Sequence, residues 1–262
     1  MKIGIDIDGV LTDIEQWQLD YGSKFYYENY GLGIKNYKGY ETNEIFDVDI
    51  KLDDEFWNKY FREYSINVEA RKFANEVIDK LKEENEIYII TARGSFLSHS
   101  ADVMTIEENR NIVLNWLKKN EIHYDKIIFS PEDICMQNKI DLMIEDKPQN
   151  INTISSEIPV ICYHANYNKQ CNGKNIYRCY SWYDIYRKIK EIIDNKTYGN
   201  IKRVNWVITD WYRPDAYYES GKWRATWKYD GGGTLLNQCP HNLDLLSWIC
   251  GNPSDVAGFC SE

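Results

Sequence analysis

The sequence predicts an α/β fold, in which a Rossmann-like parallel sheet of five strands carries a small helical cap inserted after strand 1. Two patterns lead to this fold class. Over residues 1–195, short apolar runs alternate with helix-like stretches, which is typical of a parallel sheet with helices on both faces. The first gap between apolar runs, of about 55 residues, is too long for a simple crossover and contains helix-like stretches of its own. An insertion at about residues 14–69 therefore predicts a cap over the strand ends.

Each predicted strand is a short run rich in isoleucine, valine or leucine. The five runs are residues 3–7, 87–91, 126–129, 142–144 and 160–163. Apolar residues at helical spacing predict three helices outside the cap. These helices cover residues 70–84, 106–119 and 182–193.

Composition limits the classes of function. The chain of 262 residues carries 41 acidic against 31 basic side chains, and the basic residues are scattered among the acidic ones. Binding of a nucleic-acid polymer needs clustered lysine and arginine, so we expect no such partner. No apolar run approaches the roughly 20 residues of a membrane span, and no signal-peptide core follows Met1. We therefore expect a cytoplasmic protein that does not enter a membrane.

The seven cysteines are odd in number and absent from the first half of the chain, which argues against a disulfide framework. Cys162, His164, Cys171 and Cys179 are residue types that bind zinc. Their spacing is irregular and contains no Cys-x-x-Cys pair, which favours reduced thiols. A metal site at these four residues stays open as the alternative.

Two aspartates follow the first predicted strand. Asp6 and Asp8 are two residues apart, and Gly9 after them permits a sharp turn. Ligands of a parallel sheet bind at the carboxyl ends of its strands. Two carboxylates this close repel each other when both are ionised, and a divalent cation bound through oxygen offsets that charge. The alternative is a simple Asp-Gly turn that ends a strand.

Complementary groups flank two later strands. Thr91 ends the second predicted strand with a hydroxyl that can donate to a phosphoryl oxygen. Lys139 precedes the fourth strand, and the acidic pair Glu145 and Asp146 follows it. A hydroxyl, a lysine and two carboxylate pairs gathered at one sheet edge predict a site for phosphate and Mg²⁺.

This set of residues resembles the four motifs of the haloacid dehalogenase superfamily of phosphatases, over about residues 1–195. In chain order, the matching positions are Asp6 with Asp8, then Thr91, then Lys139, then Asp141 with Glu145 and Asp146. The first motif, the cap placed after it and the last motif are similar to the branch of cytosolic deoxyribonucleotidases and related bacterial nucleotidases. That branch usually has aspartate where this chain has Glu145, a difference that bears on how water and metal are held.

The resemblance implies a mechanism of phosphomonoester hydrolysis. In it, Asp6 attacks phosphorus to form an aspartyl phosphate, and Asp8 gives a proton to the leaving oxygen and later takes one from the hydrolytic water.

The resemblance also implies how Mg²⁺ and phosphate are held. The metal set comprises Asp6, Asp8 through its backbone carbonyl, Asp146 and Glu145. Thr91 and Lys139 hold phosphate oxygens, and Arg93 is a further candidate for substrate binding, with a structural ion pair as its alternative.

The substrate that the resemblance implies is a (deoxy)nucleoside monophosphate, which makes the chain a 5'-nucleotidase. A phosphatase of the same fold that acts on sugar phosphates is the alternative. The aromatic residues of the cap are expected mainly to form its core, and stacking on a nucleobase is their alternative role.

A change in composition near residue 197 predicts a second segment. Residues 196–200 are polar, contain glycine and predict a linker, whereas residues 201–262 hold five of the nine tryptophans. Segments around Trp206 to Arg213 and Gly231 to Gly251 resemble the carboxyl-terminal domain of the GFO/IDH/MocA oxidoreductases. The resemblance implies a partial α+β segment, with His241 and Asp244 as the counterparts of residues beside the sugar and nicotinamide.

Dehydrogenase activity is not expected from this tail. The Gly-x-Gly-x-x-Gly motif of a nicotinamide-binding domain is absent from the sequence, so we expect a fused or truncated fragment. A non-catalytic fusion, in which the tail serves sugar binding or oligomerisation, is the alternative to an enzyme. Its aromatic residues predict homo-oligomers that form through the tail.

Overall fold

The computed structural model describes residues 1–95, 104–130 and 139–194, together with residues 214–221, 226–230, 243–244 and 247. The chain divides into two compact units, Met1–Asn195 and Lys196–Glu262. The linker predicted at residues 196–200 lies outside the described residues.

A parallel sheet forms the centre of the first unit. Its strands are β1 (Lys2–Ile5), β2 (Glu86–Thr91), β3 (Lys126–Phe129), β4 (Leu142–Glu145), β5 (Val160–Tyr163) and β6 (Ile176–Cys179). They lie in the order β3-β2-β1-β4-β5-β6, and every neighbouring pair is parallel. The predicted parallel α/β fold and all five predicted strands are confirmed, with ends that differ by at most two residues.

The sheet has six strands, so the predicted number of five is wrong. The missed strand, β6, lies at the edge of the sheet and mixes apolar and polar residues, with only Cys179 fully buried. It has no apolar run because an edge strand needs less apolar surface than a central one.

The strand order creates a crevice beside β1. From β1 the chain proceeds to β2 and β3 on one side of the sheet, and then to β4, β5 and β6 on the other. Crossover connections that leave in opposite directions open a gap at the carboxyl ends of the two strands where the direction changes. In this sheet those strands are β1 and β4.

Seven α-helices and one short 3-10 helix (Asn166–Asn168) are described in the first unit. The α-helices are, in chain order, α1 (Ile14–Tyr30), α2 (Thr42–Phe46), α3 (Ile50–Asn67), α4 (Ala74–Lys82), α5 (Ile106–Lys119), α6 (Pro148–Ile154) and α7 (Trp182–Asp194). Buried residues of α4, α5 and α7 share one apolar core with Ile3 and Ile5 of β1. Those of α6 pack with Met143 and Val160 in a second core. Both faces of the sheet are therefore covered.

The helix predicted at residues 70–84 begins later than expected, at Ala74. Phe73, before it, has a φ of 66°, which lies outside the helical region. Ala70 forms an isolated antiparallel bridge with Thr12, so this stretch pairs with the loop after β1 before the helix starts.

Helices α1, α2 and α3 form the cap. Asp13 begins α1 by accepting a hydrogen bond from the Gln16 amide, and Asp49 begins α3 by accepting one from the Leu52 amide. The cap has its own aromatic core, made by buried rings such as Phe25, Tyr26, Phe46, Phe56, Trp57 and Tyr60. The expectation that most cap aromatics serve packing therefore agrees with the structure.

Direct contacts hold the cap against the sheet unit. The Arg71 amide donates to the Leu11 carbonyl at 2.7 Å, where the two connections of the cap run side by side. The Trp116 indole of α5 donates to the Val68 carbonyl at the end of α3, also at 2.7 Å. The position of α3 relative to the sheet is thus fixed by contacts at its carboxyl end.

In the second unit, the described residues include two short helices, α8 (Asp215–Glu219) and α9 (Trp227–Asp230). Asp244 is described and exposed, whereas His241 lies outside the described residues. Oligomerisation or sugar binding through this segment stays a prediction. Among the described residues of the whole chain, none of the helices combines the length and the apolar character that crossing a membrane requires.

Candidate active site

Three buried carboxylates meet at the crevice between β1 and β4. Asp6 follows β1, Glu145 ends β4, and Asp146 comes next. Oxygen atoms from the three side chains all lie within 4.8 Å of one another. Asp6 is 6% exposed and the other two are 0% exposed. The Asp6 amide donates to the Ile144 carbonyl at 3.2 Å, which continues the pairing of the two strands up to the cluster.

Gly9 permits the loop after β1 to pass directly over Asp146. Its φ is +84°, and a Cβ atom built on it would lie 1.9 Å from Asp146 Oδ2. A side chain at this position would meet both backbone strain and a direct clash with a carboxylate.

Glu145 turns back onto the start of α6. Its Oε1 accepts hydrogen bonds from the amides of Asp146 at 2.8 Å and Lys147 at 2.9 Å, and its Oε2 accepts one from Asn150 Nδ2 at 3.2 Å. Amides at the start of a helix lack partners within the helix. The additional methylene of glutamate, compared with aspartate, lengthens the side chain that accepts these hydrogen bonds.

Asp146 is only partly satisfied by the protein. Its Oδ2 accepts a hydrogen bond from the Tyr167 hydroxyl, whereas its buried Oδ1 has no hydrogen-bond partner among the described residues. Burial, and next the negative charge of Glu145, raise the pKa of Asp146 well above its usual range. Asn168 Nδ2 fixes the backbone by donating to the Asp146 carbonyl at 2.8 Å. Without a cation, the charged form of this carboxylate is strongly disfavoured.

Asp8 lies beside the cluster but its side chain is directed to other partners. Arg93 donates from Nε to Asp8 Oδ2 at 2.8 Å and from Nη2 to Asp8 Oδ1. The Tyr64 hydroxyl of α3 also donates to Asp8 Oδ1. The Asp8 carboxylate is therefore not part of the metal-binding group, a result compatible with the backbone-carbonyl role that the resemblance implies.

Arg93 is buried, with a side chain only 4% exposed. Burial by itself would lower the pKa of Arg93, but the Asp8 carboxylate raises it, so the guanidinium stays charged. Its Nη1 atom is buried and has no hydrogen-bond partner in the part of the chain that the structure describes. Arg93 thus forms the structural ion pair that was the alternative to substrate binding, with Asp8 as its partner. Its Nη1 remains available as a donor.

Thr91 ends β2, next to β1, and is 1% exposed. Its hydroxyl oxygen accepts a hydrogen bond from the Arg93 amide at 3.2 Å. The structure thus brings Thr91 to the same sheet edge as the acids.

The expectation that Lys139 joins the acids at this edge is not met. It precedes Asp141, whose amide donates to the Lys2 carbonyl at 2.9 Å, at the amino end of β1. Lys139 is exposed, and within the described part of the chain it has no hydrogen bond or ion pair with a site residue. Because β1 and β4 are parallel, their amino ends lie at one edge of the sheet and their carboxyl ends at the other. Lys139 lies at the amino edge, whereas the acids lie at the carboxyl edge.

The zinc alternative at the cysteines gains no support. Cys162, Cys171 and Cys179 are buried and free, and burial raises the pKa of Cys162 and Cys179 to about 12. Within the described ranges, the acids at the crevice are the one group placed to hold a metal ion.

Comparison of the sequence with known proteins identifies a family. Residues 1–197 match the family model of the cytosolic type C 5' nucleotidase protein, described as deoxy (pyrimidine). The chain belongs to this family. Residues 186–262 match the family model of the GFO/IDH/MocA C-terminal domain. The protein is thus a nucleotidase-type phosphohydrolase with a segment similar to part of an oxidoreductase.

Individual relatives agree with the family. A nucleotidase of Clostridium acetobutylicum is 27% identical over 199 residues, which cover 74% of this chain and 96% of that protein. The YqfW protein of Bacillus subtilis is 26% identical over 191 residues, or 70% of this chain and 90% of its own. A haloacid dehalogenase-like protein of Agrobacterium tumefaciens has a TM-score of 0.51 at 15% identity, covering 73% of this chain and 98% of its own. This last likeness supports the fold.

Sequence reasoning missed four residues around the acids of this nucleotidase: Tyr40, Tyr64, Lys147 and Tyr167. Tyr40 of the cap packs edge-on against the Tyr167 ring at 5.0 Å, and Lys147 Nζ lies 4.9 Å from the Tyr40 ring centre. Burial raises the pKa of all three tyrosines well above the usual range, so their hydroxyls remain donors. Lys147 was recognisable because it follows the acidic pair, whereas the tyrosines arrive through long-range packing.

Substitution of Gly9 tests the arrangement of the acids. We expect Gly9→Ala to lower phosphohydrolase activity at least tenfold, because its Cβ must displace the Asp146 carboxylate. The strain should also lower the free energy of unfolding by about 1–3 kcal/mol. Rates of hydrolysis of p-nitrophenyl phosphate and urea unfolding curves provide the measurements.

Gly33→Ala is the matched control, because a Cβ at Gly33 would have no neighbour within 4 Å. It should leave both quantities unchanged. Wild-type activity in Gly9→Ala would show that the loop does not need to approach Asp146 so closely.

Proposed function

We propose that this protein hydrolyses (deoxy)nucleoside monophosphates with Mg²⁺, through an aspartyl phosphate on Asp6. The observation that carries the proposal is the group of three buried carboxylates at the crevice between β1 and β4. The nucleotidase family and relatives support the class of substrate.

The residues of the cluster fit a divalent cation. Asp6, Glu145 and Asp146 offer carboxylate oxygens, which are the ligands that Mg²⁺ prefers. The buried, unpartnered Oδ1 of Asp146 needs a positive charge or a donor beside it. When bound, Mg²⁺ supplies the positive charge that allows a phosphate dianion to approach ionised carboxylates.

Glu145 differs from the two aspartates in this proposal. Three donors already use its carboxylate, so we assign the closest metal contacts to Asp6 and Asp146. Glu145 then orders the start of α6, which in turn fixes Asp146.

Side chains of the protein provide the nucleophile, the proton donor and the hydrogen-bond donors to phosphate. Asp6 provides the nucleophilic oxygen, and Asp8 delivers a proton to the leaving oxygen of the nucleoside. The Thr91 hydroxyl and the free Nη1 of Arg93 are available as donors to phosphate oxygens. Donors held in place by burial stabilise the charge of the transition state without reorganisation.

Lys147 takes the position that the sequence suggested for Lys139. It follows Asp146 at the carboxyl end of β4, and its ammonium lies over the Tyr40 ring. Among the described residues, Lys147 and Arg93 are thus the cations that we assign to phosphate recognition. Tyr40 and Tyr167 lie beside the acids, and we assign them to the wall of the substrate site. The buried free thiols agree with action in the reducing cytoplasm.

Replacement of the nucleophile tests the reaction. Asp6→Asn should reduce turnover of nucleoside monophosphates by about a thousandfold or more, because the amide cannot form the aspartyl phosphate. The assay measures phosphate release with Mg²⁺ or with EDTA, from a panel of nucleotides and sugar phosphates, beside circular dichroism of both proteins. Full activity of Asp6→Asn would contradict the proposal, and release confined to sugar phosphates would support the alternative substrate class.

A pair of lysine substitutions tests the assignment of the phosphate-binding cation. Lys147→Ala should raise KM for a nucleoside monophosphate about tenfold, since it removes a positive charge beside the acids. Lys139→Ala is the matched control at the amino end of β4 and should change KM less than about twofold. A larger rise of KM in Lys139→Ala than in Lys147→Ala would instead assign phosphate binding to Lys139.

A further inference from the structure

One residue of the cap reaches the carboxylate that the proposed reaction uses for proton transfer. Tyr64 of α3 is 2% exposed, and its hydroxyl donates to Asp8 Oδ1. The same hydroxyl lies 3.0 Å from Thr12 Oγ1, in the loop after β1. Tyr64 is therefore connected both to Asp8 and to the loop that carries it.

Arg93 completes the surroundings of Asp8 from the other side. Its guanidinium lies over the Tyr64 ring, 4.7 Å from the ring centre, and donates to both Asp8 oxygens. A planar guanidinium and an aromatic ring stacked in this way restrict each other's rotation. Asp8 is thus held by two side chains that are themselves packed together.

The geometry fixes the direction of the Asp8 carboxylate. Oδ1 receives the Tyr64 hydroxyl and Arg93 Nη2, whereas Oδ2 receives Arg93 Nε. Proton transfer requires that the donating oxygen lies within hydrogen-bond distance of the leaving oxygen, so the orientation of the carboxylate affects the rate of proton transfer.

We propose that Tyr64 is a positioning residue, through which the cap orients Asp8 for proton transfer to the leaving group. The inference rests on the proposed function. As the Asp6 oxygen bonds to phosphorus, the bond between phosphorus and the leaving oxygen breaks. Asp8 enters this step with a proton taken up from solvent and passes it to the leaving oxygen. The carboxylate that results is the form that Arg93 and Tyr64 hold in the structure. Tyr64 keeps its own proton throughout and acts on the reaction through Asp8.

If Tyr64 only supported the packing of the cap, its substitution would lower activity equally on all substrates. Its ring packs against Trp17, with ring centres 4.6 Å apart, so truncation would disturb the cap core. Tyr64→Phe keeps the ring and removes only the hydroxyl. The effect on the reaction then depends on how strongly the leaving group needs a proton.

The experiment compares two leaving groups in the full chain with Mg²⁺. A nucleoside 5'-monophosphate releases an alkoxide that must be protonated, whereas p-nitrophenyl phosphate releases a phenolate that is stable without a proton. Tyr64→Phe should lower kcat/KM for the nucleotide about 10- to 100-fold and for p-nitrophenyl phosphate less than about threefold. The ratio kcat/KM is measured because it reports the step in which the leaving group departs.

Tyr21→Phe is the matched control. The Tyr21 hydroxyl also donates to a carboxylate within the cap, Glu63 at 3.0 Å, but away from Asp8. It should leave both values of kcat/KM unchanged. Asp8→Asn should also lower kcat/KM more for the nucleotide than for p-nitrophenyl phosphate, and by a larger factor than Tyr64→Phe does.

The results distinguish a failure of the positioning role of Tyr64 from a failure of the phosphatase function. An equal loss on both substrates in Tyr64→Phe, or no loss on either, overturns the positioning role while the phosphatase function stands. Failure of the wild-type chain to hydrolyse either substrate overturns both. Selective loss on the nucleotide supports both.

Discussion

The mutual repulsion of three buried carboxylates is the constraint on which the rest of this structure depends. Asp6, Glu145 and Asp146 are buried together at the crevice that the strand order opens between β1 and β4. The protein offsets part of the charge through backbone amides and the Tyr167 hydroxyl, but no described residue donates to the second oxygen of Asp146. The arrangement is costly for an empty site and favourable for one that holds a cation.

Much of this site was predictable because topology determines it. The alternation of apolar runs and helices implies parallel strands, and parallel strands bring their carboxyl ends to one edge. Asp6, Thr91 and Asp146 directly follow or end such strands, so their proximity follows from sequence position. Lys139 precedes a strand, and the same rule, applied strictly, places it at the opposite edge.

The remaining features depend on packing over long sequence distances. The contact between Tyr64 and Asp8 joins residues 56 positions apart, and it exists because α3 is docked through Val68 onto α5. No local pattern distinguishes Tyr64 from the other aromatic residues of the cap, which form its core. The sixth strand was missed for a related reason, since β6 is stabilised by pairing with β5 rather than by an apolar run of its own.

The most direct test of the account is the effect of Mg²⁺ on thermal stability, measured for the wild-type chain and for Asp146→Asn. Mg²⁺ should raise the Tm of the wild type, because a cation that binds only the folded state stabilises it. Asp146→Asn should have a higher Tm than the wild type without metal, because burial of a carboxyl group beside Glu145 costs stability that a neutral amide avoids. This variant should respond little to Mg²⁺. An equal Mg²⁺ response in both proteins, or none in the wild type, would contradict the claim that these carboxylates form a metal site.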